Sequence, residues 1–488
     1  MPTLRDRATR GMLALTVAQI CILLSGYVIA VVLARSLGPA LYGVYGIVYS
    51  VLLSVELIGR LGLPQAVSKL VAEKDDGAGS VEATGITLAL IVYAVIFLTF
   101  LLASPWLGAV FHVPDGAYLF RIAAIDIPFY GVYFMFVHVL SGRREFLKQA
   151  VAASVYSLTK VVGIIALVMI GPSVAGALVV NVIGSIIALG LVVHYVGRDA
   201  FRLTLEQARP IIRLAIPVAV IALGTQALIN VDLWVLNALG ARIEDEVKGL
   251  YIAASSVARI PNAIAFVTTS VLVPSVAYAL ASPDQKQAVA TVEQGLRFMA
   301  VTLVPGCALI AVEARAILVL LFSDVYAAGA PFLVLLAFAQ GLFYTAFMSF
   351  SYLLIATGGQ HAAAIVAILM LAVATVTSVV GVLIFGAIGA ALGTLVANAI
   401  AAAIATVLVF RALRPQIDVV MLLRLVAATA LVCFAATAVR TEGLLLIAEL
   451  VVLGGILLVL LLLLRVVDTA DLAPYVRPLI RFGSKRSL

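Results

Sequence analysis

Residues 11–34 read GMLALTVAQICILLSGYVIAVVLA, and this stretch decides the fold class. It contains no charged side chain. As a helix rising about 1.5 Å per residue it reaches about 36 Å, enough to cross the ~30 Å hydrocarbon core of a bilayer. The basic residues before it (Arg5, Arg7, Arg10) are what a secretory leader would show. The run is too long for a leader's apolar segment, however, and passes into further apolar runs without a convincing cleavage site. It reads as a retained first transmembrane helix.

Outward from that stretch, similar runs recur at roughly 41–64, 84–103, 118–141, 149–171, 173–196, 211–240, 248–280, 294–322, 331–357, 362–385, 387–410, 420–439 and 443–465. Of the 488 residues, 64% are hydrophobic and 11% charged, whereas a soluble chain is about half apolar and a quarter charged. The runs do not alternate apolar with polar, which excludes a barrel. In lipid the backbone must satisfy its own hydrogen bonds, so the spans are helices. The expectation is an all-α integral membrane protein of about fourteen transmembrane helices.

Lys and Arg fix the orientation. With the N-terminus inside, inner segments carry Arg5, Arg7, Arg10, Arg60, Lys69, Lys74, Arg143, Arg144, Lys148, Arg198, Arg202, Arg209, Arg213, Lys286, Arg297, Arg411, Arg414, Arg424 and the basic tail from Arg465. Outer segments hold Arg35, Arg121, Arg242, Lys248, Arg315 and Arg440, a bias of roughly four to one. Both termini are therefore expected in the cytoplasm of a multi-pass plasma-membrane protein. The net charge of +7 is a topology signal, and no nucleic-acid partner is expected. The charged stretch from Lys69 to Glu82 is expected on the inner surface. Cys21, Cys307 and Cys433 lie in apolar runs as packing thiols, and the four His residues show no metal-ligand spacing. With no phosphate-binding loop either, no cofactor, metal or direct use of ATP is expected.

A faint repeat runs at an offset of six helices. Leu63-Pro64-Gln65-Ala66-Val67 matches Val273-Pro274-Ser275-Val276-Ala277, and Tyr42-Gly43-Val44-Tyr45 is echoed by Gly249-Leu250-Tyr251. Six helices preserve orientation, so the two copies form a parallel repeat.

The stretch from Ala34 to Gly43 (ARSLGPALYG) resembles the first outer loop of polysaccharide flippases, in the multidrug/oligosaccharidyl-lipid/polysaccharide exporter superfamily. Gly142-Arg143-Arg144-Glu145-Phe146, Ala215-Ile216-Pro217, Asn230-Val231-Asp232, the stretch Gly249 to Ala254 and the stretch Tyr326 to Phe332 agree with that family in order and spacing. The resemblance implies a V-shaped bundle with six-helix lobes at 1–200 and 201–414, two further helices at 415–466 and a cytoplasmic tail at 467–488. It also implies the task of flipping isoprenoid-pyrophosphate-linked oligosaccharide to the outer leaflet by alternating access. The insert Arg242 to Lys248 departs from the family; it either alters the outer gate or is a solvated loop, and the second is the expectation.

Charges inside spans are costly and mark candidate sites. Ser255, Arg259, Asn262 and Thr269 follow a 4-3-7 spacing that puts them on one helix face, and Arg259 offers a planar fork suited to phosphate. Its alternative is a structural ion pair with Asp232. Gln226 and Asn230 form one polar face of the seventh helix and Asp232 another, for sugar hydroxyls or for neighbouring helices. Lys160, one turn after Tyr156, either attracts the pyrophosphate or neutralises a carboxylate. Asp126, with Tyr130 and Tyr133 following, suits sugar contact, proton coupling or aromatic packing. Glu56 and Arg60 have the spacing of an intrahelical pair; with Arg35 they are candidates for coupling or gating. Expected partners are the lipid-linked oligosaccharide, membrane lipids, H+ or Na+ as coupling ion, and glycan-assembly enzymes. A peptidoglycan-precursor flippase and a drug/cation antiporter of the same superfamily are the alternatives. The connections are too short for a catalytic domain, so an enzyme is not expected.

Overall fold

The computed structural model describes residues 4–60, 62–73, 78–197, 204–240, 243–261, 285–343, 360–413, 418–439 and 441–467. These are helical almost throughout, with no strand among the described residues. In chain order the helices are α1 (Leu4–Arg60), α2 (Leu63–Glu73), α3 (Ala78–Val110), α4 (Gly116–Gly142), α5 (Phe146–Ile170), α6 (Val174–Val196), α7 (Ala208–Leu239) and α8 (Asp245–Ala258). They continue with α9 (Gln285–Val312), α10 (Ala314–Leu321), a 3-10 turn (Asp324–Gly329), α11 (Ala330–Leu342), α12 (Gln360–Phe385), α13 (Ala387–Leu413), α14 (Val419–Val439) and α15 (Leu445–Leu463).

Among the described residues, 11 helices are long and apolar enough to cross a membrane. α1 counts once among them but contains the first two spans, because the helix breaks at Gly38 (φ 70, ψ 170) ahead of Pro39. Proline disfavours helix in the residue before it, and glycine alone adopts that φ without strain. With α1 counted twice, α7 and the start of the eighth span in α8 bring the eleven to the expected fourteen. Leu102, Met169 and Ile170 are 80%, 84% and 88% exposed, the surface that lipid covers.

The chain forms two compact units, one of Met1–Ser256 with Ala364–Gly393, the other of Val257–Ala363 with Thr394–Leu488. α4 is the core helix of the first unit and packs against α3 and α6, while α1 packs against α5. At one end of these helices, Arg143 Nε donates to Glu82 Oε1 at 2.7 Å, Nη2 donates to Glu82 Oε2 at 2.5 Å, and Nη1 donates to the Val196 carbonyl at 3.3 Å. One guanidinium thereby ties together α3, α4 and α6. Glu82 is buried, which corrects the expectation that the stretch from Lys69 to Glu82 lies wholly on the surface. Lys69 and Glu73 form an exposed pair, and Gly79 is exposed as well. The connection into α7 is held by α3: Thr204 N and Gln207 N donate to Thr87 and Thr84, and Ser80 donates to Glu206.

The turn between α12 and α13 is packed backbone to backbone. A Cβ on Gly389 would lie 1.8 Å from the Gly381 carbonyl oxygen, and Thr377 Oγ1 donates to the Gly393 carbonyl at 2.9 Å. Small residues permit this approach where lipid supplies no hydrophobic drive. In the second unit α9 packs against α11 and α14, and Met421, Leu425, Ala428 and Leu461 join α14 to α15. Arg297 Nε donates to the Val466 carbonyl at 3.1 Å and Arg424 Nη1 to the Leu464 carbonyl at 3.1 Å. These two cations sit at the carbonyl-rich end of α15, where positive charge is favoured.

Candidate functional site

Four helices of the first unit each carry a polar stripe, and the stripes converge. On α1, Tyr42, Tyr45, Tyr49 and Glu56 follow spacings of three, four and seven, which align on one face. α5 contributes Tyr156 and Lys160 one turn apart, and α6 contributes Asn181 and Ser185 at the same spacing. α4 contributes Asp126, Tyr130 and Tyr133.

Lys160 lies at the centre. Its Nζ donates to the hydroxyls of Tyr49 and Tyr156, each at 3.3 Å. The ammonium is also 5.5 Å from the Tyr49 ring centroid and 5.0 Å from that of Tyr156, within cation–π range of both. Tyr45 stacks on Tyr49 with centroids 5.4 Å apart, and Tyr130 and Tyr133 both pack on Tyr156 at 5.3 Å. Gly184 makes room for the lysine stem, since a Cβ there would lie 2.8 Å from Lys160 Cγ.

The acids of the site are Asp126 and Glu56, 3% and 2% exposed. Ser185, Lys160 and Glu56 are the groups acting on the Asp126 carboxyl. Asp126 Oδ1 is sealed from solvent and has no hydrogen-bond partner among the described residues. Three ionisable side chains from three helices thus share one buried site, with tyrosines as its walls. Glu56 meets Asp126 of α4. The side chains of Arg60 and Gln226 lie outside the description.

The remaining candidates are placed elsewhere. Asp232 on α7 accepts a 2.6 Å hydrogen bond from the Tyr251 hydroxyl of α8, with the two residues 4% and 0% exposed. Asn230 and Ser255 are buried, and Arg35 is exposed near the end of the first span. Arg259 falls in the second unit. α8 closes at Ala258, one residue before Arg259, and Ile260 N donates to Val257 O. Pro261 explains the closure, since it lacks an N–H and disfavours helix just before it. Asn262 and Thr269, with the repeat segment Val273 to Ala277, lie outside the described residues.

The insert Arg242 to Lys248 needs correcting. Asp245 opens α8 and puts its acid and that of Glu246 in the first turn, where the helix dipole favours them. Lys248 is buried and donates to Asp245 Oδ1 at 2.9 Å. The Asp245 carbonyl rests against Gly43, and Gly249 against Pro39. The two echoed segments of the repeat therefore meet at their glycines.

A family model described as "Polysaccharide biosynthesis protein" matches residues 8–279, more than half of the chain. The chain belongs to the polysaccharide biosynthesis protein family. None of the curated proteins matches it in sequence. Among solved structures, this family member is similar to the lipid II flippase MurJ in an inward closed conformation, with a TM-score of 0.77 at 14% identity over 96% of this chain and 99% of that one. It is also similar to an inward-facing multidrug resistance MATE family transporter of the MOP superfamily, with a TM-score of 0.68 at 16% identity over 82% and 97%. An outward-facing structure of such a transporter gives 0.58 at 16% identity over 83% and 94%. At these identities the likeness establishes a shared fold.

Proposed function

We propose that the protein is a flippase that carries isoprenoid-pyrophosphate-linked oligosaccharide from the cytoplasmic to the outer leaflet of the plasma membrane during surface-glycan assembly. The observation that carries this reading is a family match to polysaccharide biosynthesis on a multi-pass helical fold. A polar headgroup with two phosphates must cross hydrocarbon while its tail stays in lipid. Two six-helix lobes, at 1–200 and 201–414, rocking around a polar cleft solve that problem. Arg259 supplies the phosphate-directed fork, with Ser255, Asn262, Gln226 and Asn230 as polar lining. Lys160 takes the other role open to it, neutralising a carboxyl, since its ammonium is engaged by Tyr49 and Tyr156 and faces the charge of Asp126. Both termini lie in the cytoplasm, where glycan-assembly enzymes deliver the cargo.

A second reading, a drug/cation antiporter, is favoured by one observation: the buried site of the first unit is built of acids and aromatic rings. A cargo panel in reconstituted vesicles separates the readings. A labelled isoprenoid-pyrophosphate oligosaccharide, a peptidoglycan-precursor lipid and a fluorescent organic cation are offered in turn. The flippase reading expects movement of the first only. Movement of the cation alone, driven by an ion gradient, establishes the antiporter instead.

A further inference from the structure

We propose that the Lys160 ammonium is a tethered occupant of a monovalent-cation site, built by Asp126, Glu56, Tyr49 and Tyr156, and keeps free Na+ out of it. This goes deeper into the transporter reading without depending on which cargo moves.

The surroundings of the ammonium are those a small cation seeks. Two hydroxyl oxygens accept from Nζ at 3.3 Å, and two aromatic faces present their negative quadrupoles to it. Asp126 on α4 acts on the ammonium through its charge, and Glu56 on α1 in turn meets Asp126. At 3.3 Å the hydrogen bonds are longer than the ~2.7–2.9 Å of tight charge-assisted contacts, so the ammonium is caged rather than clamped. The orphaned Asp126 Oδ1 is a buried acceptor that Lys160 leaves unsatisfied.

A side chain also has an advantage that a free ion lacks. Lys160 is 8% exposed, and its stem is seated over Gly184. Its head therefore competes at the effective concentration of a tethered group, against Na+ that must shed its water to enter. Removing the ammonium leaves two buried carboxyls without their cation, which the membrane interior disfavours. The vacated volume is lined by oxygen ligands suited to a hard cation.

The test uses the full-length protein purified in detergent, with NaCl compared with choline chloride at equal ionic strength. Melting temperature and binding of radioactive Na+ are read together. Wild type and Lys160→Arg are expected to show no Na+-dependent shift and no bound Na+ at this site. Lys160→Ala is expected to gain a saturable, Na+-dependent rise in melting temperature and about one bound Na+, both abolished by adding Asp126→Asn. Lys160→Met, which keeps the stem over Gly184, is expected to respond in the same direction. Recovery of folded Lys160→Ala only in Na+ is also the expected result. Equal yield, equal melting temperature and no Na+ binding in both salts would overturn the proposal. So would a wild-type Na+ response that disappears with Asp126→Asn. The readout is ion binding, so the proposal can fail while flipping persists, and flipping can fail while the proposal holds.

Discussion

Gly249 at the start of α8 lies so close to Pro39 that a Cβ there would sit 1.8 Å from the proline's carbonyl oxygen. No side chain fits that gap, and the facing residue is backbone that cannot rotate away. Gly249→Val is therefore expected to lower the melting temperature markedly, because overpacking typically costs about 1–3 kcal/mol and more where backbone must shift. Gly79→Ala is the control. That glycine has nothing within 4 Å, and alanine in a helix is expected to be neutral or stabilising by about 0.5–1 kcal/mol. Equal melting temperatures for the two variants would show that the seam between α1 and α8 is not the tight contact described.

Glu82 and Arg143 give a second expectation. Glu82→Ala strips the partner from a guanidinium that joins three helices, and a loss of about 1.5–3 kcal/mol is expected. The Glu82 hydrogen bond, its charge and that of Glu145 raise the Arg143 pKa above its ordinary value, with burial partly opposing them. A raised cationic group contributes fully below its unfolded value and loses that contribution only as pH climbs through the folded one. Thermal melts of wild type and Glu82→Ala across the neutral range should therefore differ by a constant amount as far as Arg143 is concerned.

Gly184 gives a third. Gly184→Leu puts branched carbon where the Lys160 stem runs, so the ammonium should be pushed out from between Tyr49 and Tyr156. Both transport and melting temperature are expected to fall. Gly190→Ala, on the same helix with nothing within 4 Å, should leave both close to wild type.

Arg297 gives a fourth. With its donors removed, the carbonyl of Val466 loses its cap, and Arg297→Ala is expected to loosen the α15 end by about 1–2 kcal/mol. Limited proteolysis of the purified protein should cut near residues 464–467 faster in the variant than in wild type. Unchanged cleavage would contradict the capping role.

How much was legible in the sequence divides along one physical line. Residues 11–34 announce a span because lipid admits only a backbone that bonds to itself, and Gly38-Pro39 marks where the first span ends. Lys160, Asp126 and Glu56 stood out singly for their cost in a membrane. Their meeting was hidden, since the Lys160–Tyr49 hydrogen bond joins residues 111 apart and one helix's pattern does not say which neighbour it faces. One signal was there to use, the three-four-seven stripe of Tyr42, Tyr45, Tyr49 and Glu56. One reading went astray where a local rule was overrun: the acids of the Arg242–Lys248 insert were read as solvation rather than as a helix start.

The central claim is lipid-linked oligosaccharide flipping, and its most direct measurement is leaflet exposure in reconstituted vesicles. A labelled isoprenoid-pyrophosphate oligosaccharide is distributed over both leaflets, and a membrane-impermeant reagent destroys the outer label. With the protein present, the account predicts that the protected inner pool drains until nearly all label is consumed. A protected pool that stays at the level of protein-free vesicles, with the protein shown to be folded and inserted, would contradict it.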